Sequence, residues 1–135
     1  FDQALQTDGN TGIYLEYALV RALHILEKIK KTTNHNISRP AGQVTMSHYD
    51  ENLIFHLARW PDVLEEASQN LSPAPICQYG FELAQTFTNF YESTPLIYKE
   101  KDPNIRAFRQ VLVQLFYTIL KDILETLGLP VMKNV

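Results

Sequence analysis

Residues 9–21 read Gly9-Asn10-Thr11-Gly12-Ile13-Tyr14-Leu15-Glu16-Tyr17-Ala18-Leu19-Val20-Arg21, a polar, glycine-bearing stretch that gives way to a helical pattern. From Ile13 onward the apolar residues Ala18, Leu19, Ala22, Ile25, Leu26 and Ile29 recur at the spacing of one buried helix face. At about 100° per residue, Tyr14, Tyr17, Arg21, His24 and Lys28 fall within roughly an 80° arc, centred about 120° from the apolar one. The pattern predicts a helix over 13–31, with Thr11 as its N-cap and residues 1–12 as a lead-in loop.

Outward from there, every later segment also reads as helix. Ser47 caps a segment over 48–59 with Leu53, Ile54, Leu57 and Trp60 on one side. Pro61 opens a short helix to Asn70, with Asp62 and Glu65 in its first turn. Ile76, Leu83, Ala84, Phe87, Phe90 and Tyr91 predict a helix over 74–92, which Ser93-Thr94-Pro95 stops. Asp102-Pro103 starts the last helix, over 103–127, and Gly128 with Pro130 ends it. Its principal stripe reads as Ile105, Phe108, Leu112, Leu115, Ile119 and Ile123, widened by Val111, Phe116, Leu120 and Leu124, which makes it the expected central helix. Residues 32–47 form a long, mobile loop in this reading. No segment alternates with period two. The expected fold is all-α, five helices in one domain over 13–135.

Composition narrows the function classes. The 135 residues are 45% hydrophobic and 20% charged, as in an ordinary globular chain, and there is no apolar run long enough for a membrane span. Net charge is −3, against general coating of nucleic acid. It is uneven, however. Residues 21–39 carry five cations against Glu27, and residues 50–66 carry five acids against Arg59. The histidines His24, His35, His48 and His56 have no helical i, i+4 pair, so no metal site is expected. Cys77 stands alone on an apolar segment and reads as a buried thiol, and Glu65-Glu66 as a solvated helix start. No residue reads as catalytic and none as binding a cofactor.

Two phenolic rings beside a guanidinium suit a partner with both a stackable ring and a phosphate, as an unpaired RNA segment has. The same residues can also pack on a neighbouring helix, with Arg21 on a carboxylate. Phe81, Phe87 and Phe90 read as core, Tyr91 as reaching a surface, and Arg106 and Arg109 as pairing either with phosphate or with a carboxylate such as Asp102.

Gly9-Asn10-Thr11, Tyr14, Tyr17-Ala18 and Arg21 resemble the opening of the C-terminal anticodon-binding domain of class I arginyl-tRNA synthetases, with Ile13 at the family's usual Pro and Glu16 at its usual Gln. Trp60-Pro61 with Leu64, then Tyr79, Glu82-Leu83-Ala84, Phe87, Asn89 and Phe90-Tyr91, and Arg106 and Arg109 running into Leu127-Gly128 resemble its later segments in order. The resemblance implies an orthogonal helical bundle in which Tyr14, Tyr17, Arg21, Tyr91 and the tail residues Met132 and Val135 contact the anticodon loop of an arginine-specific tRNA. Val135 stands where the family usually ends in Met. It also implies an upstream catalytic domain in cis that uses ATP and Mg for arginylation, and a monomeric, cytoplasmic or organellar protein. The rival readings are a related cysteinyl or glycyl synthetase domain, and a stand-alone helical module serving a protein partner or a tRNA-modifying enzyme.

Overall fold

The structure, a computed structural model, describes residues 2–33, 45–94 and 100–129, with the side chains of 12–31 in the first of these segments. Five α-helices and no strand lie among them: α1 Asp2–Thr33, α2 His48–Ala58, α3 Trp60–Asn70, α4 Ala74–Ser93 and α5 Pro103–Thr126. None of these helices is long and apolar enough to cross a membrane.

Three predicted boundaries rest on cap chemistry and are found. Ser47 forms a capping box with Asp50: the Ser47 backbone N–H donates to Asp50 Oδ2 at 2.8 Å, and the Asp50 N–H donates to Ser47 Oγ at 3.2 Å. Asp102 Oδ1 accepts from the Asn104 N–H at 2.9 Å and starts α5. Gly128, at φ +76°, ends α5; its N–H donates to the Glu125 carbonyl and that of Leu129 to the Leu124 carbonyl, the Schellman pairing.

The start of α1 differs from the expectation. The helix runs through Gly9 and Gly12 from Asp2, so Thr11 is no N-cap and 2–12 is no loop. Residues 3–6, Gln-Ala-Leu-Gln, favour helix, and an isolated glycine costs only about 1 kcal/mol against alanine. Gly12 is buried, and a Cβ there would lie 3.3 Å from a Leu129 methyl, so this glycine serves packing and not a turn. The expected loop over 32–47 is helical at 32–33 and without regular secondary structure at 45–47, and most of it lies outside the described residues.

The core joins Leu15, Leu19 and Ile29 of α1 to Leu53 of α2, Leu83, Phe87 and Phe90 of α4, and Phe116, Leu120 and Ile123 of α5. α4 packs against each of the other four helices and shares the centre that the sequence reading gave to α5. On α5 the buried stripe is Leu112, Val113, Phe116, Leu120, Ile123 and Leu124. Leu115, read as principal, is 44% exposed, because it sits about 120° around the helix from the centre of that stripe.

Two seams lock the layers. Trp60 stacks on Tyr79 at 5.8 Å between ring centroids and donates its Nε1–H to Asp122 at 2.8 Å, while the Tyr79 hydroxyl donates to the His56 carbonyl. Burial raises the Tyr79 pKa far above its ordinary value, and burial followed by the nearby Arg59 charge lowers that of His56, with Glu82 opposing. In the second seam, Arg109 of α5 meets Asp50 of α2 at 3.3 Å and Glu100 at 3.4 Å. Asp50 therefore does not contribute to an acidic surface; it is 1% exposed.

Candidate nucleic-acid interface

α1 and α4 run side by side in the same sense. Leu15 meets Gly80, the Tyr14 ring meets Phe81 at 5.2 Å, and Arg21 meets Tyr91. Gly80 permits this approach: a Cβ there would lie 3.1 Å from a Leu15 methyl and 3.4 Å from one of Ile123. A bare backbone at the crossing lets the helices close, and the side chains on either side of it then line a groove.

That groove is lined by Tyr14, Tyr17, Ala18, Arg21, Phe87 and Thr88 and has a volume of about 120 Å³. Tyr17 is 60% exposed, which sets aside the reading of it as a packing residue. Tyr14 is half-buried against Phe81. Arg21 is exposed, and its guanidinium carbon lies 5.3 Å from the Tyr91 ring centroid. Tyr91 stacks on Phe87 at 6.3 Å and 14°, and Phe87 on Phe116 at 4.0 Å and 1°. A column of rings thus runs from the core out to the cation.

The arrangement holds a charge in place without neutralising it. A cation over an aromatic face gains about 0.5–1 kcal/mol at an exposed site, enough to bias a rotamer, and leaves its N–H fork free for an anion. No carboxylate among the described residues lies within ion-pair distance of Arg21. One end of the groove therefore offers a phosphate contact and the other a pair of rings. A short single-stranded segment presents the matching groups.

Tyr14, Tyr17, Arg21 and Tyr91 are thus brought together, as the spacing and the resemblance led one to expect. Met132 and Val135 lie outside the described residues. Leu129, the last of those, rests on Gly12, two residues before Tyr14. Arg109 is withdrawn from any surface role by Asp50 and Glu100, and Arg106 donates to the Glu100 carbonyl at 3.2 Å. Cys77 is half-buried, not buried, because it falls at the edge of the α4 core face. The sequence reading missed two residues. Phe81 was assigned to the core, yet is 36% exposed beside Tyr14. Thr88 was not considered at all, although it lies two turns after Phe81 and one turn before Tyr91, on the same arc of α4.

A family model described as DALR anticodon binding domain matches residues 15–135, and the chain belongs to that family. Among individual proteins, it is 34% identical over 134 residues to an arginine–tRNA ligase of Buchnera aphidicola, covering 98% of this chain and 22% of the relative. It is 32% identical over 130 residues to an arginine–tRNA ligase of Pyrobaculum aerophilum, covering 96% and 20% respectively. The solved structure of Thermus thermophilus arginyl-tRNA synthetase superposes with a TM-score of 0.77 at 26% identity, over 90% of this chain and 21% of that one. The chain thus spans about a fifth of the length of the relatives it matches, and its all-helical described residues superpose on about a fifth of that structure.

Proposed function

We propose that this chain is the anticodon-binding part of an arginine–tRNA ligase and holds unpaired anticodon-loop bases of arginine-specific tRNA in the groove between α1 and α4. The observation that carries the reading is the groove itself, with Tyr17 60% exposed beside an Arg21 that rests on Tyr91 and meets no carboxylate among the described residues. Tyr14 and Tyr17 stack on or bracket the bases, Arg21 takes a phosphate or a base edge, and Tyr91 positions Arg21. Met132 and Val135 close the pocket in this proposal.

In the whole enzyme, a catalytic domain in cis carries out ATP- and Mg-dependent arginylation, and anticodon binding here orients the acceptor end towards it. The described residues do not fit those cofactors. The chain has no glycine-rich phosphate loop, and no group of three His, Cys, Asp or Glu among the described residues is placed to hold a metal ion. A monomeric state and a cytoplasmic location belong to the same proposal. The ligase names of the relatives favour it over a stand-alone interaction module.

Two substitutions test the site. Tyr17→Ala removes one stacking platform and weakens tRNA binding by about 1–3 kcal/mol, with helicity and melting temperature unchanged. Arg21→Ala lowers the log–log salt slope of binding by about 0.7, the loss of one phosphate contact to a single strand. Wild-type affinity and slope in both variants, measured by fluorescence anisotropy, would overturn the assignment.

A further inference from the structure

We infer that Thr88 is a specificity-determining residue of this groove, its hydroxyl hydrogen-bonding the edge of an unpaired base held beside Tyr17 and Arg21. The inference rests on the reading that the groove takes anticodon-loop bases.

The other helical threonines with described side chains show why Thr88 stands apart. A helical threonine ordinarily spends its hydroxyl on the carbonyl four residues back. Thr86 does so with Glu82 at 2.8 Å, Thr118 with Gln114 at 2.9 Å and Thr126 with Asp122 at 2.7 Å; Thr94, just past the end of α4, does so with Phe90 at 2.8 Å. The Thr88 hydroxyl makes no hydrogen bond among the described residues. Thr88 is half-buried and lines the groove. A β-branched residue lowers helix propensity, and here no back-bond offsets that.

The rest of the lining explains what such a hydroxyl does. Tyr14 and Tyr17 offer ring faces, and Ala18 and the buried Phe87 an apolar wall, which accept any base because every base has a π-face. Arg21 on a phosphate contributes equally whatever the base, and on a base edge its fork only donates, whereas a hydroxyl can also accept. Discrimination needs a group at the base edge, and a threonine hydroxyl both donates and accepts there. Apart from the two phenols and the guanidinium, Thr88 is the hydrogen-bonding side chain of the lining.

The test titrates the chain with the anticodon stem–loop RNA of an arginine-specific tRNA, and with RNAs changed at one loop position each. Thr88→Val keeps the branched shape and removes the hydroxyl. It is expected to weaken binding to the unchanged RNA roughly two- to tenfold, the worth of one neutral hydrogen bond. It should also flatten the preference at one loop position while leaving the salt slope alone, and Thr88→Ser should restore that preference. If the valine variant fails to fold, Thr88→Ser against Thr88→Ala makes the same comparison. Preferences like those of wild type in the hydroxyl-free variant, or an equal loss towards every RNA, overturn the inference. Should Tyr17→Ala also bind as wild type, the reading of the groove itself has failed; a weakened Tyr17→Ala beside an unaltered Thr88→Val sinks Thr88 alone.

Discussion

Arg109 and Asp50 lie 59 positions apart in sequence, and the structure places their charges 3.3 Å apart inside the protein. Asp50 also accepts from the Ser47 backbone and hydroxyl, so one carboxylate both starts α2 and fixes α5 to it. Removing one member of such a pair leaves the other charge buried. Asp50→Ala is therefore expected to destabilise the fold by about 3–5 kcal/mol, read as a shift in the urea unfolding midpoint, and a midpoint like that of wild type would contradict the seam. His56 gives a pH dependence of definite sign. Its pKa is below 6.5 in the folded protein and ordinary in the unfolded chain, so the unfolded state binds the proton first. The stability this group confers is complete above about pH 6.5 and is lost as pH falls towards the folded pKa. Melting temperature should accordingly drop on acidification below that value, and drop less in His56→Gln. The helical arc of Tyr14, Tyr17 and Arg21 was legible from spacing alone, because neighbours on one helix face need no tertiary knowledge. The partner of Arg109 was not, since Asp102 is nearer in sequence but is committed to capping α5.

Among the elements, the well-read boundaries are those with a local chemical signature, Ser47 with Asp50, Asp102 with Pro103, and Gly128. The start of α1 had no such signature, and its glycines point to a turn unless Leu129 is known to need the space at Gly12. The stripe of α5 was drawn too broadly, because nearly every apolar residue was admitted and only packing decides which side of a very apolar helix faces in. Phe81 was misjudged for the converse reason: at helical spacing it looks like core, and only the closeness of α1 and α4 leaves it at the rim. Gly80 sets that closeness. Gly80→Val would push its new methyls against Leu15 and Ile123. It is expected to cost about 1–3 kcal/mol of stability through overpacking. By spreading α1 from α4 it should also weaken tRNA binding in the variant that remains folded, as anisotropy under native conditions would show. A stable Gly80→Val with unchanged affinity would mean that the helix separation does not shape the groove.

Across the molecule, the mildly acidic charge of −3 and the single cationic end of the groove describe a reader of one site, not a coat for a polyanion. All-α class and family were both legible, since the helical periods and the ordered motifs extend along most of the chain and the family match covers residues 15–135. The proposed base-reading chemistry at Thr88 was not, because a hydroxyl without a partner among the described residues is visible only once other helical threonines are seen to be paired. The most direct measurement is a titration of this chain with arginine-specific tRNA at two salt concentrations, beside the same tRNA changed at its central anticodon base. The account predicts binding that weakens with salt at a slope near −0.7 per phosphate contacted, and that is lost when the base is changed. Equal binding to both tRNAs, or no binding to either, would contradict it.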